Sequence, residues 1–260
     1  MYLFLIIASL ISVFPLYWSF ISAFNNTQQI LGGWMHPSTH LFENLQYLFE
    51  QHNVMRALKN SFATTILQTL IALAVSSIAG YGFEIYHDKA KDTVMAILML
   101  AMMVPFVAVL VPLFQMFTKA KLINSWAGFI MPSIATPFLI MYFRNSARSF
   151  PRDTLEAARI DGLNEFQIFI RMFIPMMKPT YASAATITFM NAWNAYLWPK
   201  VIMQTNEAIT MPMLVANTMG GYVIDYGVVM AAVTICSLPT VIIFFCLQKS
   251  FTNAVAGAVK

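Results

Sequence analysis

The sequence has 260 residues, of which 59% are hydrophobic and only 10% charged, with a formal charge of +4. An ordinary soluble domain is roughly a quarter charged, so this chain cannot cover a core of its own with charge. It reads as an all-α polytopic membrane protein, and the mean hydropathy of +0.67 agrees. Cys236 and Cys246 would stand about 15 Å apart on one helix, which excludes a disulfide between them, and no zinc-type spacing is present.

Six apolar stretches reach or approach the roughly 20 residues a bilayer crossing needs. They are Tyr2–Phe24, Ser61–Ile85, Thr93–Phe117, Ala127–Phe143, Tyr181–Met203 and Val228–Leu247, and they predict one transmembrane domain over residues 1–260. The first has no basic residue before it, is too long for a signal core and lacks a small-residue cleavage site, so it is read as a retained helix. The chain begins almost inside it, and a short cytoplasmic leader is expected to be missing from the sequence.

The polar segment Asn25–Met55 follows and holds three of the four histidines. Pro37 lies between His36 and His40 and no third ligand is near, so a solvated loop is expected and no metal. In the second stretch Asn60, Ser61, Thr64, Thr65, Gln68, Thr69 and Ser76 recur at three- and four-residue steps and share one helix face. Such a stripe either lines a water-filled path or hydrogen-bonds between helices. Prolines at 15, 105, 112, 132, 137 and 239 predict kinks that neighbouring helices must satisfy.

The segment 149–179 is the longest polar interruption after these. Pro151 or Asp153 suits a helix start, and Gly162 suits a left-handed end. Asn164 can cap a second helix running toward Pro175 and Pro179, in which Phe166, Phe169, Ile170 and Phe173 form one apolar face. The first helix is small-surfaced at Ala157 and Ala158, with Glu156 exposed, which suits docking into a groove on another protein. In the fifth stretch Asn191, Trp193 and Asn194 place an indole beside amides. That pairing fits either sugar binding or an interfacial tryptophan.

With the N-terminus inside, ten of the fifteen basic residues fall on the inner segments, six of them between Arg144 and Lys178. The outer segments hold Arg56, Lys59, Lys119, Lys121 and Lys200. The positive-inside rule then makes both termini cytoplasmic. None of the ten glycines precedes a lysine, so the phosphate-cradling loop of ATPases is absent. No nucleophile–base or metal constellation lies within the stretches, and only Glu84 approaches the intramembrane charge that an ion-coupled carrier would need.

Glu156-Ala157-Ala158, Gly162 and Met172-Phe173-Ile174-Pro175 resemble the EAA loop of ATP-binding-cassette importer permeases. Arg159-Ile160-Asp161-Gly162, Val104-Pro105 through Val111-Pro112, Leu122 to Trp126, and Trp193-Asn194 to Pro199 are similar to the carbohydrate branch. The tail from Gln248 to Lys260 resembles the second permease of maltose-type systems. One departure is clear: Tyr81-Gly82-Phe83-Glu84 ends with an acid where the family usually has an arginine, so local salt bridges are not carried over there.

The resemblance implies a fold with about six transmembrane helices and a cytoplasmic coupling helix. Glu156, Ala157, Ala158, Asp161 and Gly162 would dock on an ATPase. The substrate path would take Asn60, Thr64, Gln68, Asn191, Trp193 and Asn194. Outside, Asn217, Gly220, Gly221 and Tyr222 of the segment Gln204–Tyr226 would meet a sugar-binding protein and help displace its ligand. It implies a multi-pass subunit of the bacterial inner membrane, in contact with lipid and not with nucleic acid. Its partners would be a homologous second permease in a heterodimer, two ATPase subunits and the binding protein. No cofactor is expected on this chain, ATP and magnesium belonging to the ATPase. The solute implied is a sugar or oligosaccharide, with glycerol 3-phosphate as the alternative within the branch. A phosphate-bearing solute would favour cations along the path, and no Lys or Arg lies mid-stretch.

Overall fold

The computed structural model describes residues 2–257, with side chains as far as Cys246. The tail motif from Gln248 onward therefore lies outside the described side chains. Among the described residues every regular element is helical. In chain order these are α1 (Tyr2–Ser22), α2 (Thr27–Leu31), α3 (Leu41–Gln51), α4 (Val54–Ile85), α5 (Lys89–Ala101), α6 (Phe106–Lys119), α7 (Trp126–Ile130), α8 (Pro137–Ala147), α9 (Arg152–Ile160), α10 (Glu165–Ile168), α11 (Ile174–Met176), α12 (Lys178–Trp193), α13 (Leu197–Ile202), α14 (Met211–Thr218) and α15 (Tyr226–Gly257).

The chain packs as two compact units, Met1–Ser61 with Thr205–Ile242, and Phe62–Gln204 with Ile243–Lys260. In the first unit α1 presents an almost wholly exposed apolar surface, as a helix facing lipid or another membrane chain must. The polar segment after it is ordered rather than loose. Asn26 and Gln29 close a capping box on α2, and Asn44 on α3 donates to the carbonyls of Ala23 and Asn25 at 2.9 and 3.0 Å. His40 bonds Glu43 at 2.7 Å, and no group of three or more metal-ligating side chains occurs among the described residues.

In the second unit the prolines decide where helices break. The stretch read as one span over Thr93–Phe117 is two helices, α5 and α6, bent by 99°. Pro105 stands at the start of α6 with φ −61° and ψ 134°. Lacking an N–H and pushing its predecessor out of the helical region, it ends α5 and opens α6. Likewise α7, with a 3₁₀ turn at Met131–Ser133, meets α8 at 51° across Thr136-Pro137. The stretch Tyr181–Met203 also divides, because α12 stops at Trp193 and the chain resumes helical form at Leu197. By length and composition α1, α4 and Tyr226–Cys246 can each cross a membrane, and each bent pair can make one further crossing.

Candidate functional site

The segment Phe150–Met177 carries its own small core. Leu155 and Ala158 of α9 pack with Phe150, Ile168, Phe169, Phe173 and Met177, and Tyr81 of α4 enters the same cluster. Local sequence explains the outline. Pro151 immediately precedes α9, Asp153 lies in its first turn, and Gly162 follows its end with φ +82°, a conformation that favours glycine. Asn164 then caps α10, accepting from the Gln167 N–H at 2.9 Å while the Gln167 side chain accepts from the Asn164 N–H.

The apolar face differs from the one the helical period predicts. Phe169 and Phe173 are buried, but Phe166 is 70% exposed and Ile170 is exposed too, while Ile168 takes their place in the core. The cause is a π turn over Phe169–Phe173, which shifts the register that a 3.6-residue period assumes. The predicted docking residues divide as well. Glu156, Ala157, Asp161 and Gly162 are exposed, whereas Ala158 is only 2% exposed and belongs to the core.

Charge ties this segment to α4. Tyr81 donates its hydroxyl to Glu165 at 3.3 Å, and Arg159 donates to the other carboxylate oxygen at 2.8 Å. Burial pushes the Glu165 carboxyl up, but hydrogen bonds from Arg159, Tyr86 and Tyr81 outweigh it and hold it below the usual range. Burial and the bond to Glu165 push the Tyr86 phenol above its ordinary value. Beside α9 a cleft of about 190 Å³ is lined by Glu84, Arg148, Arg152, Glu156 and Arg159. Glu84, the departure seen in the sequence, accepts from both Arg144 and Arg148.

A second feature of this unit is a cavity of about 240 Å³ between α4, α7, α8 and α12. Its polar lining is Gln68, Ser133, Thr136, Thr188 and Asn191, its apolar wall includes Phe129, Phe138 and Trp198, and no charged side chain lines it. Gln68 and Asn191 are thus brought together as predicted path residues. Trp193 is not. It is 1% exposed, stacked on Phe189 and edge-on to Phe62, so it packs the helix interface and offers no open ring. Asn194 caps the end of α12, bonding the Met190 carbonyl at 2.9 Å. Thr188, one turn before Asn191, joins the lining together with Ser133, Thr136 and Trp198, none of which the sequence singles out as a path residue. A three-residue polar step on α12 was the one signal available for the first.

The stripe on α4 serves several ends. In the first unit Asn60 donates to the carbonyls of Glu207 and Ile209, and Ser61 accepts from the Met211 N–H at 2.8 Å. Thr64 is fully buried. In the second unit Gln68 faces the cavity, while the buried hydroxyls of Thr65, Thr69 and Ser76 have no hydrogen-bond partner among the described residues. Lining and bonding are both present on one stripe.

In the first unit the segment after α14 projects Tyr222 and Val223 fully into the open, flanked by exposed Gly220 and Gly221. Asn217 and Gly221 line a cavity of about 200 Å³ with Tyr47, His52 and Asp225. Asp225 caps α15 through the Gly227 N–H and accepts from the Thr27 hydroxyl at 3.1 Å.

The family described as binding-protein-dependent transport system inner membrane component matches residues 72–257, which include segment Phe150–Met177 and every cavity residue except Gln68. The chain belongs to that family. It is therefore a transport subunit of the inner membrane and not an enzyme. The permease is 39% identical to the lactose transport system permease protein LacG of Rhizobium radiobacter, over 98% of this chain and 93% of that one. It is 30% identical to the arabinooligosaccharides transport system permease protein AraQ of Bacillus subtilis, over 99% and 94%. Its fold matches a chain in the crystal structure of a bacterial ABC transporter involved in the import of alginate, with a TM-score of 0.85 at 20% identity, covering 96% of this chain and 94% of that one.

Proposed function

We propose that this permease passes a neutral sugar or oligosaccharide into the cytoplasm by alternating access. The observation that carries the solute class is the cavity: five uncharged polar side chains and three aromatic rings, with no cation to hold a phosphate. Hydroxyl-rich, uncharged solutes need that mixture of amides, hydroxyls and apolar walls. Gln68 and Asn191 are the proposed contact residues, with Thr64, Asn60 and Asn194 supporting the helices that carry them and Trp193 packing behind. The names of LacG and AraQ, for lactose and arabinooligosaccharides, support a sugar as the solute.

The chain crosses the membrane at the six apolar stretches with both termini cytoplasmic. Its segment 149–179 is the coupling segment, and Glu156, Ala157, Asp161 and Gly162 meet one of two ATPase subunits, which bind the ATP and magnesium. Ala158 holds the helix to its base. A homologous second permease completes the pathway, and the loop with Asn217, Gly220, Gly221 and Tyr222 meets an extracytoplasmic binding protein. Closure of the ATPases moves the coupling segments and turns the cavity outward; hydrolysis resets it.

The test is purification of the assembly from native membranes in mild detergent, followed by uptake into liposomes of labelled lactose, arabinooligosaccharides and glycerol 3-phosphate. ATP-dependent uptake of a sugar, with its KM raised severalfold in Gln68→Ala and in Asn191→Ala, is expected. Uptake of glycerol 3-phosphate alone would overturn the solute class, and uptake without ATP would overturn the mechanism.

A further inference from the structure

Three helices of the second unit run from the core of segment Phe150–Met177 to the cavity. α4 places Tyr81 in that core and Gln68 in the cavity wall, about 20 Å away along the helix axis. α8 places Ala147 in the core and Phe138 and Leu139 at the cavity, with Thr136 just before its first turn. α12 begins directly after Met177 and carries Thr188 and Asn191. A displacement of the segment reaches the cavity intact only if these helices do not slide on one another.

Two contacts oppose sliding between α4 and α8. At Gly80 the helices meet backbone to backbone: a Cβ there would lie 2.6 Å from Phe143 Cβ and 2.7 Å from the Arg144 nitrogen. One turn on, Arg144 donates through Nε to Glu84 at 3.4 Å and through Nη2 to Asp92 of α5 at 2.5 Å. Its side chain is 7% exposed, and Glu84 is 17% exposed. A guanidinium so buried is stable only opposite carboxylates, so moving α8 along α4 would strand it. Arg148, on the exposed side, adds a second bond to Glu84 at 3.3 Å.

We infer that Glu84 and Arg144, with the close crossing at Gly80, are positioning residues that make α4 and α8 one lever between the segment and the cavity wall. The inference rests on the proposed ATPase docking of segment 149–179. It explains why an acid at position 84 suits this chain: the cation of the pair is supplied by α8, so the acid belongs on α4.

The test uses the assembled transporter with Cys236 and Cys246 replaced by Ser and spin labels at Leu70→Cys and Phe166→Cys, both exposed positions. The distance between the labels is measured with and without ATP. In the otherwise unaltered assembly it is expected to change by less than about 2 Å, the scale of ordinary helix shifts. In Glu84→Gln and in Gly80→Ala it is expected to change by more, and sugar imported per ATP hydrolysed should fall at least about threefold. The double variant Glu84→Gln/Arg144→Gln should fall short of the sum of the two singles, since both remove the Glu84–Arg144 contact. Should these not assemble, Arg148→Gln at the exposed bond carries the test and should widen the distance distribution. A large ATP-dependent change in the unaltered lever, or variants indistinguishable from it, would overturn the inference. Absence of any ATPase from the unaltered assembly would instead sink the docking reading beneath it.

Discussion

Tyr81 and Glu165 are joined across 84 positions of sequence by a 3.3 Å hydrogen bond, which anchors the end of α4 to the first turn of α10. Tyr81→Phe keeps the ring in its cluster with Phe169 and Phe173 and removes only that bond. A loss of about 1–2 kcal/mol is expected, read as a melting shift of about 2–5 °C. An unchanged melting point in detergent would show that the bond adds nothing.

The same carboxylate predicts an acid-side dependence. Glu165 is held below the usual carboxyl range in the folded chain, so its contribution is present above the unfolded pKa of about 4.3. It is lost as pH falls through the lower, folded value. Protease resistance of the segment should therefore be flat from pH 7 to about 5 and fall below about 4. Glu165→Gln should be less resistant at pH 7 and lose part of the acid-side slope. Identical profiles for the two proteins would contradict this.

Gly162 holds φ +82° with open space around its Cα. Gly162→Ala meets no clash but places a side chain in the left-handed region, at about 1–2 kcal/mol. Gly162→Asn should cost less, because asparagine tolerates that region. Gly162→Pro cannot adopt the angle and also deletes the N–H bonded to the Arg159 carbonyl. Uptake should follow glycine, asparagine, alanine, proline in descending order. A different order would place the function of Gly162 elsewhere than its backbone.

Neighbouring alanines should fail differently. Ala157 is exposed and Ala158 buried. Ala157→Arg is expected to leave segment 149–179 protease-resistant while the ATPase no longer co-purifies. Ala158→Asp buries an uncompensated carboxylate and should make the segment protease-sensitive as well. Protease sensitivity in Ala157→Arg would remove the distinction.

Trp193 and Asn191 should separate in the same way. Trp193→Ala empties a fully buried site and should cost about 3–5 kcal/mol. Asn191→Ala should leave melting within about 0.5 kcal/mol and raise the sugar KM severalfold. Equal effects on stability would mean that Asn191 is a packing residue.

The sequence by itself determined what depends on near neighbours in the chain. Apolar stretches could be read because a bilayer-length run is a local property, though three of the six divide into separate helices. Gly162 and Asn164 could be read because a cap is built from residues a few positions apart. The run from Glu156 to Gly162, which resembles a family motif, is local in the same sense. Only the tertiary structure decided which face of each helix is covered. The π turn at Phe169–Phe173 exposes Phe166 and Ile170, which a regular period would bury. Packing against Phe62 and Phe189 hides Trp193, and α8 brings Arg144 to Glu84 from 60 positions away. Burial and ion pairing are set by what stands opposite a side chain, and in a bundle of apolar helices the opposite residue is distant in sequence.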